Sequence, residues 1–469
     1  MGEALTLFDK VWMQHVVKSL SVEEDLLHVD RFFLHDLSGV VAIPELQRRG
    51  LAPLSPSLNF AVSDHAVSTD VGRERNADAN SRRHVKEMRR LMQEVGLRHF
   101  DVGSEDQGIV HVIGPELGLS LPGTTFLCTD SHTCTHGALG ALAWGVGSTD
   151  AVHILATQTI AQSKPRSMRL QLDGKLPHGV FAKDVILAVI GRFGAGAGAG
   201  YAVEFCGTAV RAMSIEERLT LCNMSVELGS KTGIIAPDDA TLEYLAGRRF
   251  APSGRHWDDA VRAWRELRSE EAAIFDLDLQ MDVSGLGPQV TWGTSVDQVI
   301  PIDGRVPDPD AARGANTRTS IAEALRYMGL WPNQPLEGLP VQQVFIGSCT
   351  NGRLSDLKIA AELVRGRRVA PDVRAWVVPG STRVKRAAER EGLDRVFLDA
   401  GFQWRESGCS MCSAVNGDTV GPGERSVSTT NRNFVGRQGP GSRTHLASPA
   451  VAAVSAITGV LTDPRRWQT

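Results

Sequence analysis

The sequence predicts an α/β protein of three domains, each built on a parallel sheet, and three observations lead there. The chain has 469 residues, and at roughly 100–200 residues per domain that suggests about three. Short apolar runs alternate with amphipathic helical stretches, the signature of the strand–helix–strand units that build parallel sheets. Two breaks divide the chain: the polar "QSKPRS" at 162–167, and a Gly/Pro/Asp-rich stretch from about 284 to 316 that includes "IDGRVPDPDAARGAN". The expected domains are therefore 1–165, 166–300 and 301–469. No repeat of 20–50 residues is visible, which argues against a solenoid or propeller.

The elements are clearest in the last third. "VQQVFIG" (341–347) reads as a buried strand and "SCTNG" as the loop after it. "LSDLKIAAELVRGRR" reads as an amphipathic helix, because Leu354, Leu357, Ala361 and Val364 recur near helical spacing. "RAWVVPG" (374–380) is a second strand closed by Pro-Gly, "STRVKRAAEREGL" a second helix with a serine start signal, and "RVFLDAG" a third short strand. In "SPAVAAVSAITGVL", Ser448 is placed to cap a helix whose first residue is Pro449. "GRFGAGAGAG" (191–200) reads as a flexible loop or a close backbone approach. It lacks the Gly-Lys-Ser/Thr ending of a phosphate loop and a G-x-G-x-x-G that follows a strand.

Composition excludes several function classes. Hydrophobic residues at 42% and charged residues at 22% are ordinary for a soluble globular enzyme. A net charge of −4 sets up no strong field for nucleic acid or an anionic membrane. The start, "MGEALTLFDKVWMQHVV", has no basic segment leading into an apolar core, so no secretory signal is expected. No apolar run approaches the ~18 residues of a membrane span, and the expected location is the cytoplasm. Seven cysteines, odd in number and sparse, make a disulfide framework a poor reading.

Three cysteines draw attention. Cys409 and Cys412 form the C-x-x-C of "GCSMC", and Cys349 lies in "GSCTNGR", at the expected C-terminal end of a strand, where ligands gather in open α/β sheets. The two strand–helix units between them allow the three thiols to converge. Structural zinc usually takes four protein ligands, and a redox C-x-x-C needs two. A [4Fe–4S] cluster normally takes four cysteines; held by three, it leaves one iron open as a Lewis acid for hydroxyl and carboxylate oxygen. Spacing alone leaves the cluster, zinc and a purely structural role all open.

Other stretches carry acids beside imidazoles. "SDHAVST" (63–69) holds Asp64 and His65, "DQGIVHVIGPE" (106–116) holds His111, and "CTDSHTCTHGALG" (128–140) holds Asp130, Ser131, His132 and His136. Carboxylate-oriented imidazoles suit proton transfer, although any single histidine is more often a surface or structural residue. "STTNRNFVGRQGPGSRTHLASP" (428–449) carries Arg432, Arg437 and Arg443. Arginine holds carboxylates in a two-pronged fork; a solvated basic loop would have the same composition.

Taken together, "GSCTNGR", "GCSMC", "TDSHT", "VEFCG" and "NRNFVGRQG" resemble the aconitase superfamily of iron–sulfur hydro-lyases. The likeness extends over nearly the whole chain, through "QGIVHVIGPE", "LCNMSVELGSKTGIIAPD" and "PQVTWGT". It implies three α/β domains of aconitase type around a central iron–sulfur site. It also implies a single [4Fe–4S] cluster on Cys349, Cys409 and Cys412, with one iron open to substrate. The implied acid–histidine pairs are Asp64 with His65, Asp130 with His111, and Glu204 with His132; Ser131 belongs to the same pocket, and Asn431, Arg432 and Arg437 to a substrate-binding run.

Within the superfamily the match lies in the branch that interchanges 2- and 3-isopropylmalate in leucine synthesis, which is the expected reaction. The "GSSRE"-like motif of the fourth, mobile (swivel) domain of single-chain aconitases is not found, so a separate small subunit is expected to carry it and the catalytic base. Ala66 and Cys134 depart from the residues usual in this branch, which leaves room for a related acid of citramalate or homoaconitate type. An RNA-binding, cluster-free role is disfavoured by the near-neutral charge and the absence of a basic stripe. Electron transfer is disfavoured by the open iron and the lack of a flavin or nicotinamide motif.

Overall fold

The computed structural model describes residues 4–73 and 79–467. The chain forms two compact units with interleaved segments: Met1–Val67, Ala79–Lys175 and Gly196–Asp282 in the first, Ser68–Asp78, Leu176–Ala195 and Val283–Thr469 in the second.

The first unit holds a five-stranded parallel sheet. Its spatial order is Arg98–Phe100, Asn59–Val62, Arg31–His35, Thr125–Cys128 and Leu142–Gly145. The strand earliest in sequence lies in the middle, and the chain winds outward from it to both sides. Such an order creates a switch point between Arg31–His35 and Thr125–Cys128, and ligands of open α/β sheets bind beyond the carboxyl ends there. Stacked rings support the sheet: Phe33 lies 5.0 Å from Phe60 and 5.1 Å from Phe126 between ring centres. The same unit contains a four-stranded parallel sheet, Thr232–Ile234, Tyr201–Cys206, Arg166–Asp173 and Leu277–Asp282, and a three-stranded antiparallel one.

The second unit repeats the doubly wound plan. Its parallel strands run Gln403–Trp404, Arg374–Val377, Gln343–Ile346, Arg425–Ser428 and Arg443–Leu446. The central strand is again the earliest, and the switch point lies between Gln343–Ile346 and Arg425–Ser428. The strand carboxyl ends there lead directly into Cys349 and Asn431. One parallel sheet thus falls in each of the spans 1–165, 166–300 and 301–469.

Several local expectations hold. The helix Leu354–Val364 buries Leu357, Ala361 and Val364, and Thr382–Arg390 is capped by Ser381, which accepts from the Val384 amide. Pro449–Thr458 has Ser448 at its N-cap position and Pro449 as its first residue, but the Ser448 side chain makes no capping bond. The glycine-rich run packs closely: a Cβ on Gly198 would stand 2.9 Å from the Cβ of Ser230.

Two expectations fail. "RVFLDAG" is not a strand but part of the helix Leu393–Ala400. Leu393, Phe397 and Ala400 recur at helical spacing on its buried face, and left-handed glycines, Gly392 and Gly401, bound it at each end. The third strand is the two residues Gln403–Trp404 that follow. "SCTNG" is likewise not a plain loop, since Ser348–Asn351 closes one helical turn. Among the described residues, no helix is long and apolar enough to cross a membrane.

Candidate active site

In the first unit, Asp130 follows the strand that ends at Cys128 and caps the 3₁₀ segment Ser131–Leu139, accepting from the His132 amide at 2.7 Å. Its two oxygens serve two imidazoles. His111 Nε2 lies 2.8 Å from Oδ1, and His65 Nε2 lies 3.1 Å from Oδ2. The other nitrogen of His65 lies 2.7 Å from Asp64 Oδ1, and Asp64 Oδ2 accepts from the Val110 amide. An ionised carboxylate only accepts hydrogen bonds, so an imidazole between two of them carries a proton on each nitrogen. Both nitrogens of His65 thus face carboxylate oxygens, one of Asp64 and one of Asp130.

Electrostatics divide the group further. Burial raises the Asp130 carboxyl, but the charge and hydrogen bond of His111, with the hydrogen bonds of His132 and His65, outweigh it and hold the group well below its usual range. Burial lowers His111 against the opposing pull of Asp130. His35, at the end of the central strand, packs against His65 at 4.3 Å between ring centres, with the rings tilted by 30°. Burial, then the charge of His65, lowers His35 to about 4, which keeps it neutral. Asp36 accepts from the amides of His65 and Ala66; burial, then Asp64, raises it to about 6.

One implied pair is not formed. His132 Nε2 faces Glu227 Oε1 at 3.1 Å, while Glu204 accepts from Ser269 Oγ at 2.6 Å. Glu204 sits within the strand Tyr201–Cys206, paired with Arg169 and Ile234. Glu227 lies on the turn Met224–Leu228, which packs against the segment carrying His132. Ser131 Oγ lies 3.3 Å from the His132 Nδ1.

The second unit gathers the three cysteines. Cys349, Cys409 and Cys412 are all buried and unlinked. The Cys412 amide donates to the Cys409 carbonyl at 3.0 Å, closing a turn that packs against the helical turn carrying Cys349. Asn431 bridges the two: its Nδ2 is 3.5 Å from Cys349 Sγ and its Oδ1 is 3.5 Å from Cys412 Sγ. Ser348 and Ser410, next to Cys349 and Cys409, hold φ of 73° and 49°, a region costly for any residue with a side chain. Asp418 secures the cysteine loop by accepting from Ser410 Oγ at 2.6 Å and Arg405 Nη2 at 2.8 Å.

Past Asn431 the chain turns outward. Arg432 and Arg437 are half-buried, and Phe434 and Val435 are exposed. The Arg437 Nε is buried without a hydrogen-bond partner among the described residues.

The aconitase family model matches residues 9–459. The chain belongs to the aconitase family.

Two curated members are close to it over almost their full length. The 3-isopropylmalate dehydratase large subunit 1 of Bradyrhizobium diazoefficiens is 57% identical over 463 residues, 99% of this chain and 97% of that one. The 3-isopropylmalate dehydratase large subunit of Roseiflexus castenholzii is 50% identical over 467 residues, 98% and 99% of the two chains. Among solved structures, the holo-form of aconitase X from Thermococcus kodakaraensis aligns with 87% of this chain and 84% of its own, at 12% identity and a TM-score of 0.47.

Aconitase-family membership implies an iron–sulfur cluster, and the second unit has a donor set that fits one. Soft thiolates are the ligands such clusters take, and three buried thiols without disulfide partners stand beside one strand switch point. A buried cation accompanies them. Lys183 Nζ donates to the carbonyls of Thr429, at 3.1 Å, and Thr430. Burial lowers it to about 7, and the charges that most oppose that shift are those of Cys412 and Cys349. When protonated, Lys183 offsets negative charge on thiolates that would hold a cluster.

Three residues around these groups carry no expectation from the sequence: Glu227, His35 and Lys183. Glu227 lay in "NMSVELGSKTG", a run that carried the resemblance, so its signal was present and was assigned to Glu204 instead. Lys183 and His35 carry no local pattern; only burial and their partners distinguish them.

Proposed function

We propose that this chain is the large subunit of an iron–sulfur hydro-lyase that interchanges 2-isopropylmalate and 3-isopropylmalate, in leucine biosynthesis, by loss and return of water. The observation that carries the reading is the set of three buried thiols with Asn431 spanning Cys349 and Cys412. The substrate is supported by identities of 57% and 50% to chains named for that reaction.

Cys349, Cys409 and Cys412 would hold one [4Fe–4S] cluster with one iron open to substrate. When bound, the cluster supplies a Lewis acid to the departing hydroxyl. The chain's own residues supply the rest. His65, held between Asp64 and Asp130, is the group that serves the leaving hydroxyl. His111 donates from Nε2 to Asp130 and so fixes the carboxylate that flanks His65. Glu227 orients His132, with Ser131 beside it. Arg432 and Arg437 bind substrate carboxylates, aided by Asn431. Removal of a proton from the carbon next to a carboxylate builds charge on that group, and fixed guanidinium donors stabilise it.

The names of the relatives imply a small-subunit partner. In this proposal that subunit carries the swivel domain and the base that removes the carbon-bound proton, and the pair works in the cytoplasm. The division into domains 1–165, 166–300 and 301–469 belongs to the same reading, supported by one parallel sheet in each span.

The test is alkene formation from 3-isopropylmalate by the chain after anaerobic iron reconstitution, with and without its small subunit. Activity in the mixture alone is the expected result. A fully loaded mixture that leaves 3-isopropylmalate untouched but dehydrates citramalate would overturn the substrate.

A further inference from the structure

Beyond Asp130 and His111, the hydrogen-bonded chain of the first unit continues to two more residues. His111 Nδ1 lies 3.1 Å from His136 Nε2, and His136 Nδ1 lies 2.6 Å from Ser120 Oγ. His136 and Ser120 are fully buried, and His111 nearly so. The His136 ring stacks on Phe126 at 3.7 Å between centres. The helix Val110–Leu117 leaves room for it with a glycine, since a Cβ on Gly114 would meet His136 Cε1 at 2.6 Å. The fold thus makes a slot for an imidazole in one orientation.

The direction of the first bond follows from the end that cannot vary, and the directions of the others from a singly protonated His111. The Asp130 carboxylate, held ionised, accepts only, so His111 carries a hydrogen on Nε2. A neutral His111 then offers Nδ1 as an acceptor, and His136 must carry its hydrogen on Nε2 to meet it. That leaves His136 Nδ1 as an acceptor, which the Ser120 hydroxyl satisfies. The bonds run in one sense from Ser120 through His136 and His111 to Asp130. For His111 to take a second proton, on Nδ1, the His136 and Ser120 hydrogens would both have to reverse.

We propose that His136, oriented by Ser120, is a positioning residue that keeps His111 neutral, with its single proton on Nε2 toward Asp130. This rests on the placement of His111 and Asp130 in the active site. The lowered proton affinity of His111 agrees with it.

The test uses the full enzyme, this chain with its small subunit, labelled with ¹⁵N in the histidine rings. His111→Gln assigns the His111 resonances. In the wild type, His111 is expected as the neutral form protonated on Nε2. His136→Phe keeps the stacked ring and removes both nitrogens; Ser120→Ala removes one hydroxyl and little else. Each is expected to populate other protonation forms of His111 and to lower kcat about tenfold, the scale of one buried hydrogen bond, with KM within about twofold. His136→Gln, whose amide still donates toward His111, is expected to recover most of kcat. His111 that stays neutral on Nε2 in both folded variants, with kcat unchanged, would overturn the inference. If His111→Gln itself keeps full activity, the active-site placement of His111 fails instead, and the ¹⁵N spectra still decide the tautomer.

Discussion

His132 and Glu227 face each other at 3.1 Å between Nε2 and Oε1, and no comparable bond joins His132 to Glu204. The two glutamates are both buried or nearly so, but they have different tasks. Glu204 holds Ser269, and burial raises its carboxyl. Glu227→Gln is expected to lower kcat/KM at least about tenfold, because an amide cannot supply the carboxylate that faces His132. Glu204→Gln keeps an acceptor for Ser269 and is expected to stay within about threefold. Steady-state kinetics of the two variants check the assignment, and equal losses would refute it.

Each thiol of the second unit has a distinct expected effect. Cys349→Ser, Cys409→Ser and Cys412→Ser are each expected to lose bound iron and activity. Cys222→Ser, buried in the first unit, is expected to keep both. Iron content and the visible absorption of the reconstituted protein measure this. Full iron in Cys409→Ser would strike it from the ligand set.

Arg437 is half-buried in the proposed substrate-binding run, with a buried Nε that has no hydrogen-bond partner among the described residues. Arg437→Lys is expected to retain the cluster and raise KM, since an ammonium cannot reproduce the two-pronged fork. Iron content measured alongside kcat/KM separates this from collapse of the site. An unaltered kcat/KM removes Arg437 from substrate binding.

Acid is expected to destabilise the fold through two buried histidines. His445 donates from Nδ1 to the Thr291 carbonyl at 2.6 Å and accepts at Nε2 from Arg425 at 2.7 Å. Burial, then the Arg425 charge, lowers it to about 3, and His35 is lowered to about 4. Their unfolded values are near 6.5. A group with a depressed folded pKa stabilises the fold above its unfolded pKa, and that stability drains away as pH falls toward the folded value. Each should therefore add a slope of up to about 1.4 kcal/mol per pH unit below ~6.5. Urea titrations from pH 7 to 4.5 on wild type and His445→Gln test this. The variant, uncharged throughout, is expected to show the shallower decline, and parallel curves would refute the assignment.

What the sequence determined by itself was local. Alternating strand and helix signals placed Cys349 at a strand end, Ser381 and Pro449 at helix starts, and the acid–histidine runs in motifs short enough to identify a family. Those signals survive because they depend on neighbours a few residues apart. The misread "RVFLDAG" shows the limit even there: helical and strand spacing are hard to tell apart over seven residues, and the buried face of Leu393, Phe397 and Ala400 settled it. Which acid meets which imidazole was left to the tertiary structure. Glu204 and Glu227 are equally plausible in one dimension, and the choice is made by the packing of Met224–Leu228 against the His132 segment. Lys183 beneath the Thr429 and Thr430 carbonyls, and His136 in the slot opened by Gly114, are likewise products of chain crossings. Hydrogen bonds act over about 3 Å, so such partners are set by where the backbone returns, which no local pattern encodes.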